Sequence, residues 1–391
     1  MELGNLSVRF NLLHPMHRSN VTGSFSSSNS SIYFPILHEY DAWDPDAVAK
    51  AFQADLYTYQ NPFFIALILF YGIVFIVGIV GNVSVILVIV RFKHMRTLTN
   101  VFLMNLTVSD ILVVCVCIPV TLGNCVYRDW IYGEIMCKIT PFIQGTAIGV
   151  SVLSLLSISI SRYCAINRPL TAKIIFSKRN VYLNLTGIWI ISMATCSPLL
   201  VVNTVETSGF PGIFVTHICV EKWNTNKDRD VYNMFIFCIL FVWPFTLMTI
   251  AYIRVGMILW NGDSRLFTES NQHRRNNVLL QRRRSVKMLI CVVTLFGISW
   301  LPYYSVNIWI DQNRQSMMGT KTMSMVTEYI YPIVLLLGLS NSSVNPICYC
   351  FFSKSFRKGF IRLFCPRVIR RCGATFSIKS SADESIETAI L

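Results

Sequence analysis

Long runs of apolar residues, each closed by a polar or charged segment, dominate the chain. Seven are extensive: about 63–90, 100–123, 135–161, 181–202, 231–253, 288–310 and 325–351. A bilayer core about 30 Å thick is crossed by roughly 20 apolar residues in a helix, so each run predicts one membrane span. Buried helices of a water-soluble core do not recur seven times with charged loops between them. The prediction is an all-α membrane protein, a seven-helix bundle over 63–351. An outer tail over 1–62 precedes it. The N-terminus, MELGNLSVRF, lacks the apolar core of a cleaved signal peptide.

Past the last run, Phe352, Phe356, Phe360 and Phe364 recur every four residues, with Lys354, Arg357, Lys358 and Arg362 on the other faces. This predicts an amphipathic helix over 352–365 lying on the membrane surface, with membrane lipid as its partner. Cys365 is a candidate for palmitoylation. The remainder, 366–391, reads as a tail whose serines, such as Ser380 and Ser381, suit phosphorylation and arrestin binding.

Composition agrees with a membrane protein, since 53% of the 391 residues are hydrophobic and only 14% charged. Soluble domains carry about 25% charged residues. Charge also orients the bundle. Segments on the side of residues 1–62 hold ten Lys/Arg and fourteen Asp/Glu; those on the other side hold twenty-four and five. Basic loops stay in the cytoplasm, so the N-terminus is expected outside and the C-terminus inside, at the plasma membrane. No nucleic-acid partner is expected. Sequons at Asn5, Asn20 and Asn29 fit an outer, glycosylated tail.

Thirteen cysteines form no CxxC pair, which argues against zinc. Cys137 and Cys219 both fall on the oxidising side and are proposed to form a disulfide. Cys125, near the same surface, competes for it or stays a free thiol. Within the spans, Asp110 is the costly residue. Asn82, Ser151, Asn341, Ser342 and Asn345 converge on it by position, either as a hydrogen-bond knot or as oxygen ligands for a sodium ion. Prolines at 119, 198, 244, 302, 332 and 346 predict kinks.

These landmarks, in order, resemble the rhodopsin-like (class A) G-protein-coupled receptors. The matches are Gly81-Asn82, Leu106-Thr-Val-Ser-Asp110, Trp130-Ile-Tyr-Gly, Cys137, Ser161-Arg162-Tyr163, Trp189, Pro244 with Tyr252, Phe296-Gly-Ile-Ser-Trp300-Leu-Pro302 and Asn345-Pro-Ile-Cys-Tyr349. The resemblance covers about 60–365. It implies no enzymatic activity and no cofactor beyond the sodium ion, with a heterotrimeric G protein as partner. Arg162 and Tyr163 would face that protein, Leu170 would pack on it, and Tyr252 and Tyr349 would swing toward Arg162 on activation. The family usually places an acid before the arginine. Here Ser161 stands there, which predicts raised basal signalling.

The third run holds no Asp or Glu, which argues against an amine ligand, and the seventh no lysine, which excludes a retinal Schiff base. Gln144, seven residues after Cys137, resembles peptide receptors such as the neuropeptide Y, neuropeptide FF, orexin and cholecystokinin groups. Residues 201–206 and 213–223 are β-prone around Ser208-Gly-Phe-Pro-Gly212, predicting a hairpin over the pocket mouth. The expected pocket is Thr121, Gln144, Tyr303, Tyr304, Asn307, Asp311 and Tyr331 over Trp300. Asp311, with Glu206, Glu221, Asp228, Glu328 and acids of the outer tail, would draw a cationic peptide. The alternatives are a receptor for a lipid or other small non-amine ligand, or a transporter.

Overall fold

The computed structural model describes residues 56–210, 214–260, 272–317 and 319–364. Seven helices long and apolar enough to cross a membrane run over Pro62–Arg91, Leu98–Val126, Gly133–Asn167, Lys178–Val202, Asn226–Leu259, Leu280–Asn313 and Lys321–Phe352. They are spans one to seven below. Lipid-facing sides show directly. On span one, Ile65, Leu69, Ile73, Ile76, Val80, Val83, Leu87 and Val90 all remain exposed at steps of three or four residues. On a helix of membrane-spanning length, such a stripe suits lipid rather than water. Span three is the central element, and every residue from Thr146 to Val152 is buried.

The helices outrun the apolar runs because polar caps close them. Asn61 accepts from the Phe63 amide with Pro62 at the first helical position. Thr97 opens span two, Ser177 span four and Thr320 span seven. Thr225 and Asp228 form a reciprocal capping box at span five. Two boundaries change most. Span three runs to Asn167, past the expected 161, so Arg162 sits inside the last turns rather than at the helix end. The sixth helix starts at Gln272, well before 288, carrying the basic segment 282–287 as helix.

Three π turns, Val113–Cys117, Cys238–Val242 and Val326–Ile330, interrupt spans two, five and seven. Each ends two residues before a proline: Pro119, Pro244 and Pro332. A proline ring displaces the carbonyl four residues back and leaves it without its N–H; a locally widened turn accommodates both. Pro141, which the sequence did not single out, lies within span three.

Strands β1 (Asn203–Phe210) and β2 (Phe214–Glu221) pair antiparallel in the expected hairpin, with Val205 opposite Cys219. The Cys137–Cys219 disulfide fastens β2 to the start of span three. The Trp130 amide donates to the His217 carbonyl at 2.9 Å, and Trp130 packs with Val120 and Cys137 beneath the hairpin. Residues before span one also dock here: Tyr57 bridges Tyr127, and the Arg128 amide donates to the Leu56 carbonyl at 2.9 Å. Cys125 is a buried free thiol beside that contact.

At the other end, Lys354–Phe364 forms the surface helix, slightly shorter than 352–365. Phe356 is buried against Tyr349 (ring centroids 5.6 Å), and the Arg362 guanidinium lies 5.9 Å from the Phe92 ring. Cys365, Asn5, Asn20 and Asn29, with the outer-tail acids and the C-terminal serines, fall outside the described residues.

Candidate functional site

A cavity of ≈ 360 Å³ opens at the hairpin end of the bundle. Span three supplies Pro141 and Gln144, span four Cys196, span five Tyr232 and Asn233, span six Tyr303, Tyr304 and Asn307, and span seven Tyr331. Glu221 of β2, Arg229 and Arg314 bring charge to it. The Gln144 amide has no hydrogen-bond partner among the described residues. Asn307 Nδ2 donates to the Tyr303 carbonyl at 2.8 Å, which leaves its second N–H and its oxygen for a ligand. Below, Trp300 is almost wholly buried and meets Tyr303 edge-on at 5.5 Å. Thus Gln144, Tyr303, Tyr304, Asn307 and Tyr331 come together around one space. Trp300 lies beneath it, and Thr121, half-buried on span two, is not part of the lining.

Asp311 is not on the lining either, and its side chain is 6% exposed. Asn233 Nδ2 donates to its Oδ2 at 2.7 Å, and Arg229 Nε lies 3.2 Å from Oδ1. That second contact is an ion pair by distance, with the N–H not aimed at the oxygen. Arg229 also lies 3.5 Å from Glu221. The other acids of the mouth have partners too: Glu328 meets Arg128 at 2.6 Å, Glu206 meets Lys222 at 3.1 Å, and Asp228 is spent in the capping box. The described rim is therefore largely neutralised from within. Arg229, Asn233 and Arg314 were missed in the sequence. Arg229 and Asn233 stand four apart at the start of span five, one helical face, and that spacing was the available signal.

In mid-bundle, buried Asp110 accepts from Asn345 Nδ2 at 2.8 Å. The Ser151 hydroxyl meets that of Ser109 at 3.0 Å. Asn82 Nδ2 donates to the carbonyls of Gly78 and Ser342, leaving its buried Oδ1 without a partner. Asn341 and Ser342 are buried nearby on span seven.

At the end away from the hairpin, Arg162 donates from one terminal nitrogen to Thr99 Oγ1 at 3.0 Å, and its buried Nε has no partner. Ser161 gives it nothing, because its hydroxyl turns back to the Ile158 carbonyl at 3.0 Å. Tyr252 accepts from Ser159 Oγ at 2.7 Å. Asn167 Nδ2 donates to the Tyr163 hydroxyl at 3.1 Å. The Tyr349 side chain is fully buried and its hydroxyl has no partner. Leu170 stands on a short helix, Pro169–Ile175. Arg283 fastens span six to span five through the Leu259 carbonyl, at 2.7 and 3.2 Å.

A seven-helix bundle, a disulfide-pinned hairpin over a cavity, and an arginine near the opposite end of the central helix define a class. The profile of the 7 transmembrane receptor (rhodopsin family) matches residues 81–349, and the chain belongs to this family. Its members are receptors, not enzymes, in line with the expectation of no enzymatic activity, and this sets aside the transporter alternative. The chain is 36% identical to the QRFP-like peptide receptor of Branchiostoma floridae over 306 residues, 78% of each protein. It is 30% identical to the pyroglutamylated RF-amide peptide receptor of Mus musculus, over 78% of this chain and 70% of that one. It is 31% identical to the neuropeptide Y receptor type 2 of Sus scrofa, over 83% and 82%.

Proposed function

We propose that this chain is a cell-surface receptor for a cation-bearing neuropeptide, acting through guanine-nucleotide exchange on a heterotrimeric G protein. The observation that carries it is the cavity under the hairpin. Its lining mixes four tyrosines, an unpartnered Gln144 amide and charged groups from a loop and helix ends. This suits a peptide's amides and side chains. The names of the relatives point the same way.

The hairpin end faces outward in this reading, since a disulfide persists only outside the reducing cytoplasm. The Arg162 end, with the basic start of the sixth helix, faces inward and meets the G protein. Ligand contact with Tyr303 acts on Trp300 beneath it, and span six moves about Pro302. The ligand biases a two-state bundle by binding one state better. Because Ser161 does not hold Arg162, the resting state is lightly restrained and basal signalling is raised. A sodium ion held by Asp110 with oxygens from Ser151, Asn341, Ser342 and Asn345, and the spare Asn82 oxygen, would favour the resting state. The surface helix rests on lipid, anchored further by palmitate on Cys365, and arrestin takes the phosphorylated tail.

The test is GTPγS loading of added G protein by receptor-bearing membranes across a panel of amidated neuropeptides. At least one Arg- or Lys-bearing peptide should stimulate loading, and Asp311→Ala should weaken it by about tens-fold. Stimulation by lipids alone would overturn the peptide reading.

A further inference from the structure

Asp311 does not wait for a ligand unaccompanied. A peptide cation brought to it arrives beside Arg229, already 3.2 Å away. Like charges at that range repel strongly in a largely buried site. The lining itself carries one acid, Glu221, against two arginines, Arg229 and Arg314. Arg229 has Glu221 and Asp311 as neighbours. Arg314 has neither an ion pair nor a hydrogen bond among the described residues, although its half-buried side chain lines the cavity. Burial first, and then Arg229, disfavour its charged form, while Asp311, Glu221 and Asp230 act on it favourably from farther than pairing distance. A guanidinium does not shed its proton near neutral pH, so what relieves it is an anion.

We infer that Arg314, with Arg229 beside it, forms a carboxylate-binding position at the cavity mouth, and that the activating peptide carries an acidic group for it alongside its cation. The inference rests on the peptide reading. A carboxylate suits the planar fork of a guanidinium, which receives both oxygens at once. It also supplies the negative charge that lets a ligand cation approach Asp311 next to Arg229. Recognition is thus of a peptide with both signs of charge. The carboxylate's source is an acidic side chain or a free C-terminus.

The probes are synthetic peptides ending in Arg-Phe-amide, the ending for which the mouse relative is named, on an alanine and serine background. One Asp is walked through the upstream positions, with Asn and Lys counterparts at each, and one arm ends in a free acid. Each is assayed by GTPγS loading on the wild-type receptor, Arg314→Ala and Arg314→Glu at matched surface expression. At one position, or with the free acid, the carboxylate should raise wild-type potency about tenfold over its neutral counterpart. Arg314→Ala should erase that gain. When the gain comes from a side chain, Arg314→Glu should turn the preference toward Lys; when it comes from the free acid, that variant should prefer the amide. If neutral peptides act but no carboxylate improves them, or if the gain survives in both variants, the inference is wrong while the peptide reading stands. If no peptide acts on the wild type, the peptide reading fails and the inference falls with it.

Discussion

Arg162 has one hydrogen bond to Thr99 and none from Ser161. A hydrogen bond to a charged acceptor contributes about 1.5–3 kcal/mol and a neutral one about 1. In the proposed reading, the missing acid would shift the resting balance several-fold toward the active state. Ser161→Asp should lower ligand-free GTPγS loading several-fold, and Thr99→Ala should raise it. Unchanged basal loading in both, at equal surface expression, would show that Arg162 is restrained elsewhere. Residue types were legible at this scale: the arginine, the buried Asp110 and the tyrosines of the cavity all stood out in the chain. Their pairings were not. Arg229 and Asp311, or Arg128 and Glu328, lie on different elements and meet only when the bundle closes. Charge counted along the sequence made the mouth look acidic, because counting cannot see which acids are already neutralised.

Helices were legible as apolar runs, and their true ends were not. Capping residues such as Thr97, Ser177 and Thr225 are polar, so hydropathy stops short of the turns they close. The π turns likewise leave no hydropathic mark, although Pro119, Pro244 and Pro332 pointed at their neighbourhoods. Packing between spans six and seven depends on a close approach. A Cβ on Gly338 would lie 2.8 Å from two carbons of the Trp300 ring. That ring is already wedged against Tyr303, so it has little room to yield. Gly338→Ala should destabilise the receptor by about 1–3 kcal/mol through overpacking. The thermal midpoint of the detergent-purified protein should fall by roughly 2–4 °C per kcal/mol lost. An unchanged midpoint would mean that the two spans separate easily.

The molecule as a whole is a bundle with two chemically different ends. One end carries the hairpin, the cavity and the disulfide; the other carries Arg162, the basic sixth-helix start and the surface helix. The disulfide spans 82 residues of sequence and fixes the lid over the cavity. Cys137→Ser or Cys219→Ser should cost about 2–5 kcal/mol and reduce peptide potency and surface expression together. Normal levels of both would make the hairpin self-supporting. The most direct measurement is peptide-stimulated GTPγS loading in membranes bearing wild-type receptor or Asp311→Ala. The account predicts that a cation-bearing amidated peptide drives loading on the wild type and needs roughly tens-fold more on the variant. A receptor silent to every such peptide, or equally sensitive with and without Asp311, would contradict it.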